Sequence, residues 1–547
     1  MSGKIDGKLG TTMSLLVILL SFISSDPSFA YMVGPALRLD QIVQESDVIF
    51  KAKAISSIPG EDKWFKKHRG FDTYATQMQV VSVIKGDIPT RKVIFQHYGP
   101  ANNLGSEFSP QSYEFQVGQS YIVFAKKTDQ QSVFRQLWEN HRIKYDQGVI
   151  IAADDRPVED QSIKEIVWTE LNKLLLSSNP EDVIYAIRQL NEMSETSEIG
   201  GGFALDDFDR NRVLDAVSSL MFRKENEIAI AAIKAIGAAS PYIYRYNESF
   251  WLATIGSGNI PGLSKRNANV KNIGAQRYWR HLVSVADGNA VTQVRSLAIL
   301  SLGRSGETKI FDHVVRWVND PEPLIRQAAV ILLSDFPCKE TSQILTDRSE
   351  DKESEVRLGV AHAVGYGQFD ALLPLLDKLL QDEDVNVRTA AALSLVSFAP
   401  SKAENVLKAN IDNQDFRSVF VNALAEKNPE PYLGDLAEII EKRLEPRNFW
   451  GGQAPYTLSW HILFTYIQGQ DADLLKTGKL DRSLDALEKT KFWGSSEPRD
   501  LYAFYIKHKM IERAQKFRET CKTTISFDME RYFSAVDMEY YGIDTPK

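Results

Sequence analysis

Four β-branched–arginine pairs recur at intervals of 31 residues: Val294-Arg295, Ile325-Arg326, Val356-Arg357 and Val387-Arg388, with Phe416-Arg417 following at 29. An acid precedes three of them in constant register, at Asp320, Asp351 and Asp382, and a second acid follows it at Glu322, Glu353 and Asp384. Behind three of these pairs runs a small apolar stretch: Ala328-Ala329-Val330, Gly359-Val360-Ala361 and Ala390-Ala391-Ala392. A period of this length holds one pair of helices, which cannot bury its own apolar face. Several copies must therefore stack into an α-solenoid. Each position has a physical task. The aspartate is expected to cap the second helix and meet the positive end of its dipole. The small residues let helices approach closely, the β-branched residue fills the core, and the arginine is expected to bridge the acids of neighbouring copies. Arg295, Asp320, Arg326, Asp351, Arg357, Asp382 and Arg388 form this structural ladder. An earlier copy, Ile228 to Gly237, keeps the apolar pattern without the arginine.

The pattern from about 289 to 420 resembles HEAT repeats, including the lyase-type HEAT-like repeat. The resemblance implies a helical array that holds a partner. It also admits an enzyme of the chromophore-lyase kind, which attaches bilins to proteins inside the cell.

The first thirty residues have the order of a cleavable export signal. Lys4 and Lys8 lie in a polar start, Leu15–Leu20 is an apolar run, and Ser28-Phe29-Ala30 places small residues at a cleavage site. The apolar stretch is too short for a bilayer, which needs roughly 20 residues. The mature chain is therefore expected to start near Tyr31, to lie in the periplasm or outside the cell, and to have no transmembrane span. Its two cysteines, Cys338 and Cys521, show no metal-knuckle or redox-pair spacing. Export would allow the two to be joined, but each is expected to be a small buried hydrophobe.

After a short helix near 37–46, with Leu39, Ile42 and Val43 on one face, the period changes to β. Strands are expected at Val48–Ile55, Tyr74–Ile84, Lys92–His97, Ser120–Ala125, Val133–Trp138 and Gly148–Ala153, with a turn at Lys85-Gly86-Asp87. Short strands joined by turns favour a small antiparallel barrel or sandwich. The segments Glu45–Ala54, Val80–Asp87 and Phe115–Lys127 resemble the OB-type barrel of netrin-like domains. The animal inhibitors of that family grip a protease metal through an N-terminal cysteine. This chain has none there, so protease inhibition does not carry over.

The fold class expected is multidomain α+β: a signal at 1–30, a small OB-like barrel at 31–158, a HEAT-like solenoid at 159–445 with an insertion near 244–288, and a divergent helical cap at 446–547. The cap is strongly aromatic: Phe449, Trp450, Tyr456, Trp460, Phe464, Tyr466, Phe492, Trp493, Tyr502, Phe504 and Tyr505. A closing helical cap explains these rings, and a sugar-binding surface is the alternative.

The eight histidines lack metal-ligand spacing, and HExxH, GxSxG and P-loop motifs are missing from the sequence. No catalytic residue, metal or cofactor is assigned, and His362 is expected in the core. The net charge of −8 disfavours general nucleic-acid binding. Against that charge, the stretch Gly256–Ala286 carries Lys265, Arg266, Lys271, Arg277 and Arg280 and no acid, and Trp279 lies within it. Insertions between repeats often form the binding face. These six residues are the candidate contact for a protein partner of unknown identity or an anionic envelope polymer.

Overall fold

The computed structural model describes residues 38–60, 72–99, 112–137, 148–194, 207–240, 242, 271–398, 400–409, 417, 421–422, 424–425, 428–442, 455–470, 474–475, 477–489, 496–524, 533 and 536–537. The export-signal segment 1–30, Trp251, Lys265, Arg266, Phe449, Trp450, Phe492 and Trp493 lie outside them. The chain divides into two compact units. One runs from Pro35 to Thr490; the described residues of the other lie between Ser496 and Asp537.

The first unit opens with the short helix Leu39–Glu45, which buries Leu39 and Ile42. The strands follow as β1 (Val48–Pro59), β2 (Thr73–Lys85), β3 (Lys92–Tyr98), β4 (Ser120–Lys127), β5 (Val133–Gln136) and β6 (Val149–Ala152). β1 pairs with both β2 and β4, and the ring β1-β2-β3-β5-β4 closes on itself, with β6 added against β4. The β3–β5 pair is parallel and the other pairs are antiparallel. The barrel is otherwise antiparallel, as expected, and the one parallel pair in the ring follows from parity. Directions cannot alternate around a closed ring of five strands, so at least one pair must be parallel. β1 turns between its two partners through register shifts at Ile49/Phe50, Lys51/Ala52 and Ala54/Ser56, as bulges bend a strand. Phe50, Ala52, Met78, Val93, Phe95, Val123 and Phe134 fill the interior. Gly86 takes φ +78, and a Cβ there would meet the Asp47 carbonyl at 2.6 Å, so the turn after β2 needs glycine.

Lys51 lies between the core residues Phe50 and Ala52, so the strand period points it outward. It is nonetheless fully buried. The helix Ile163–Leu174 packs over β6 and brings Glu170 to 3.1 Å of the Lys51 Nζ, with Asp154 at 3.0 Å. Glu170 also accepts from the Ala153 amide at 2.8 Å. The hydroxyl of Tyr185, on the helix Pro180–Glu192, accepts from the Ile151 amide at 3.1 Å. Barrel and first helices are thus joined through buried polar contacts. Asn179 caps the helix that Pro180 begins, as the Asn-Pro-Glu signature predicts.

Beyond Asp209 the helices are Arg210–Ser218, Asn226–Ile236, Ile273–Gly288 and Thr292–Ser301. They are followed by Phe311–Trp317, Pro323–Leu332, Lys339–Arg348, Ser354–Gly367, Leu373–Leu379, Val385–Phe398 and Pro400–Ala409. The second helices of successive repeats begin at 292, 323, 354 and 385, reproducing the 31-residue period. They pack side by side in one row that also takes in Asn226–Ile236. The acid-free stretch ends in a regular array member: Ile273–Gly288 packs against Thr292–Ser301 as the first helix of that repeat. Leu433–Lys442, Pro455–Gln468 and Asp481–Glu488 pack on one another farther along.

The second unit pairs Ser496–Lys507 with Ile511–Thr524 around Tyr505, Phe517 and Phe533, and Arg518 meets Asp537 at 2.6 Å. Cys521 is buried there, whereas Cys338 is exposed. Exposure of Cys338 departs from the expected buried hydrophobe. Its sulfur occupies a capping position, accepting from the Thr341 amide at 3.4 Å. No helix among the described residues is long and apolar enough to cross a membrane.

Candidate protein-interaction surface

Arg326 and Arg357 each work in two directions. Arg326 meets Asp351 of the next repeat with two bonds of 2.9 Å, and Arg357 meets Asp382 at 2.7 and 2.8 Å. Arg295 meets Asp320 at 2.6 Å. The remaining guanidinium nitrogen turns back onto its own repeat. Arg326 donates to the carbonyls of Asp320 and Pro321, Arg357 to those of Asp351 and Lys352, and Arg388 to those of Asp382 and Glu383. The planar, five-donor fork of arginine suits this double duty and the point charge of lysine does not.

The aspartates do not cap their helices in the way expected. Asp320, Asp351 and Asp382 accept from the amides of Glu322, Glu353 and Asp384, the residues that themselves occupy the cap position. They close the entering turn and leave the second carboxylate edge for the preceding repeat's arginine. Of the second acids, Asp384 does cap, accepting from Asn386 at 2.7 Å, while Glu322 and Glu353 make no side-chain cap bond. Burial pushes the Asp351 and Asp382 carboxyls up, and Arg326 and Arg357 more than offset it, holding both below the usual carboxylate range.

A capping aspartate alone is worth about 1 kcal/mol. The Arg357 and Asp382 side chains, however, are only 9% and 8% exposed. Arg357→Ala leaves a buried carboxylate without its counter-charge, so unfolding in denaturant is expected to show a loss of about 2–3 kcal/mol. Unchanged melting would mean that the ladder does not hold the array.

The ladder is internal, so a contact surface must come from other side chains. Of the six candidate residues, Lys265 and Arg266 lie outside the described residues. The structure gathers Lys271, Arg277, Trp279 and Arg280 at the start of the helix Ile273–Gly288. Lys271 is exposed, and Arg280 is exposed with its guanidinium 4.8 Å from the Trp279 ring centre. Arg277 is instead engaged within the fold, 2.7 Å from Asp215 on the helix Arg210–Ser218. The Tyr278 hydroxyl bonds the same carboxylate, and the helix is interrupted at Tyr278, whose φ and ψ are −114° and 22°.

Two members of this face gave no signal in the sequence. Phe222, 50% exposed, packs its ring 5.7 Å from His281, and Ile273 is 51% exposed. Phe222 precedes His281 by 59 positions, so no local pattern joins them.

The C-terminal aromatics fall differently. Trp460, Phe464, Tyr502, Phe504 and Tyr505 are buried, so they serve cores and offer no open ring face to a sugar. His362 is buried, as expected. His97 is buried in the barrel between Thr76 and the Tyr98 carbonyl, and burial pushes its imidazole down to about 4. It stays neutral at physiological pH. Among the described residues no group of three or more His, Cys, Asp or Glu is placed to hold a metal ion.

A family model described as HEAT repeats matches residues 280–365 and 342–425. No curated protein matches the chain. Among solved structures, YibA of E. coli is similar at 16% identity over 60% of this chain and 94% of that one, with a TM-score of 0.30. Kap121p is similar at 13% identity over 68% of this chain, with a TM-score of 0.32. A structure of the karyopherin Kap121p bound to the extreme C-terminus of the phosphatase Cdc14p matches at 13% identity over 71%, with a TM-score of 0.32. The chain spans 46–47% of the Kap121p chains. The architecture is therefore a five-strand closed barrel followed by a mostly helical region that contains HEAT repeats.

Proposed function

We propose that this protein is exported and acts as a non-enzymatic scaffold, holding a protein partner on the solvent face of its helical array. The observation that supports this reading most directly is the ladder. The recurring charged residues are spent inside the array, making a stiff support, while Lys271 and Arg280 remain exposed, Arg280 beside the Trp279 ring. Stacked helical pairs form extended surfaces suited to long partners, and aromatic and arginine side chains are the residues that anchor protein interfaces.

Two measurements test it. N-terminal sequencing of material from outside the cytoplasm is expected to read from Tyr31. Intact Met1 in a cytoplasmic fraction would overturn the export reading and reopen the chromophore-lyase alternative. Crosslinking in the native envelope is expected to join the array to one protein species. Crosslinks to an anionic polymer alone, with no protein, would replace the scaffold reading by polymer binding.

A further inference from the structure

The exposed face around the helix Ile273–Gly288 combines features that core packing does not require. Phe222, Ile273, Trp279 and Arg280 lie on adjoining elements: the turn Ser219–Phe222 packs directly against Ile273–Gly288. Phe222 and Ile273 each keep about half their surface in water. Aromatic and arginine side chains such as Phe222 and Arg280 are the types that anchor protein interfaces.

The charges around it are unbalanced. Asp215, the acid on the neighbouring helix, is already taken by Arg277 and the Tyr278 hydroxyl. Glu225, next to the Phe222 turn, is taken by Arg223 at 3.0 Å. Asp287, at the far end of the helix, is engaged by Arg316 at 3.2 Å and by the Trp317 indole at 2.7 Å. Lys271 and Arg280 are exposed, while these three acids are engaged by other cations.

We infer that this face is a docking site for an acidic protein segment that carries an aromatic or large aliphatic side chain. The apolar side chain would lie against the Phe222 ring beside His281, and the flanking carboxylates would meet Arg280 and Lys271. The inference deepens the scaffold reading and rests on it for its biological meaning, but its test does not require the natural partner.

The probe is a fluorescein-labelled twelve-residue peptide of alternating Glu and Ser with one central Phe, titrated with the full chain and followed by fluorescence anisotropy. Two control peptides replace every Glu by Gln, or the Phe by Ser. Binding is expected to the acidic Phe peptide and to weaken with salt, because exposed charges are screened within about 10 Å at 0.1 M. Lys271→Gln/Arg280→Gln is expected to weaken it about tenfold and to flatten its salt dependence. Phe222→Ser is expected to weaken it by a similar factor, as loss of an interface anchor does, while leaving the salt dependence steep. None of these side chains is in the core, so thermal melting serves as the folding control.

Equal binding of the acidic and Gln peptides, equal binding by parent and both variants, or no binding at low salt would each overturn the inference. Failure here combined with envelope crosslinks that map to the repeats at 323–398 would discard this face and leave the scaffold reading standing. Peptide binding at this face with no protein crosslinked in the envelope would do the reverse.

Discussion

Replacing Lys51 by Met is expected to cost about 3–4 kcal/mol and to separate the unfolding of the barrel from that of the helices behind it. The Lys51 Nζ lies 3.0 Å from Asp154 and 3.1 Å from Glu170, with no exposed surface on the lysine and 3% on Glu170. Removing one member of a buried, hydrogen-bonded charge set leaves the others uncompensated, which costs far more than breaking a surface pair. Lys173 moderates the loss, since it also reaches Glu170 at 3.0 Å and Asp154 at 3.3 Å. Burial pushes the Asp154 carboxyl up, but bonds from Arg156 and Lys51 outweigh it and hold the group far below the usual range. Glu170→Gln keeps an acceptor for the Ala153 amide and removes the charge. Combined with Lys51→Met it should cost less than the sum of the single changes, the signature of directly coupled groups. Denaturant unfolding followed separately by a barrel probe and a helical probe would check both claims. Coincident transitions and an additive cycle would show that the network does not join the two parts.

How much of this was legible beforehand depends on whether a feature is periodic. The ladder could be read because Arg326, Arg357 and Arg388 repeat at a constant interval with their acids. Even so, the aspartates lie two residues upstream of the cap position that their spacing suggests. Helix ends are the least regular part of a repeat, and a carboxylate two positions upstream satisfies the same turn. The six strands were legible from alternation and turn residues. The parallel β3–β5 pair was not, because pairing joins segments that the sequence separates. Lys51 sits in a run, Phe50-Lys51-Ala52-Lys53, whose alternation reads as a solvent face. Only the arrival of Glu170, 119 residues later, buries it. The same holds for Phe222 and His281. The C-terminal rings show the opposite failure. Composition announced many aromatics there, but a count of rings does not say which side of a helix packs inward, and those with described side chains are mostly core.

The stability of the Asp207→Asn variant relative to the parent is expected to depend on pH, changing by up to about 4 kcal/mol between pH 4 and pH 7. The Asp207 side chain is fully buried. Its Oδ1 accepts from the Leu39 amide at 2.8 Å, the first residue of the N-terminal helix, and its Oδ2 has no hydrogen-bond partner. Burial pushes the carboxyl up to about 7; the Leu39 amide, Lys164 and Arg38 pull it down without overcoming the burial, and Asp40 adds to the rise. In the unfolded chain the group titrates near 3.8. Below that value both states hold the proton and the carboxyl is well accommodated. As pH rises from about 4 to about 7 the unfolded chain ionises freely while the folded one does not, so folding loses stability until the folded group also ionises. A shift of about three units at 1.36 kcal/mol each sets the upper bound of about 4 kcal/mol. An asparagine keeps the acceptor for Leu39 and cannot ionise. Its amide hydrogens cost a roughly constant amount, so the pH-dependent part of the difference belongs to the carboxylate. Parallel denaturant titrations of the two proteins at pH 4, 5.5, 7 and 8 should show the variant gaining steadily on the parent up to about pH 7 and holding level above it. A difference that stays constant across that range would mean that Asp207 is ionised in the fold throughout. In that case the charge, not the neutral acid, holds the start of the N-terminal helix.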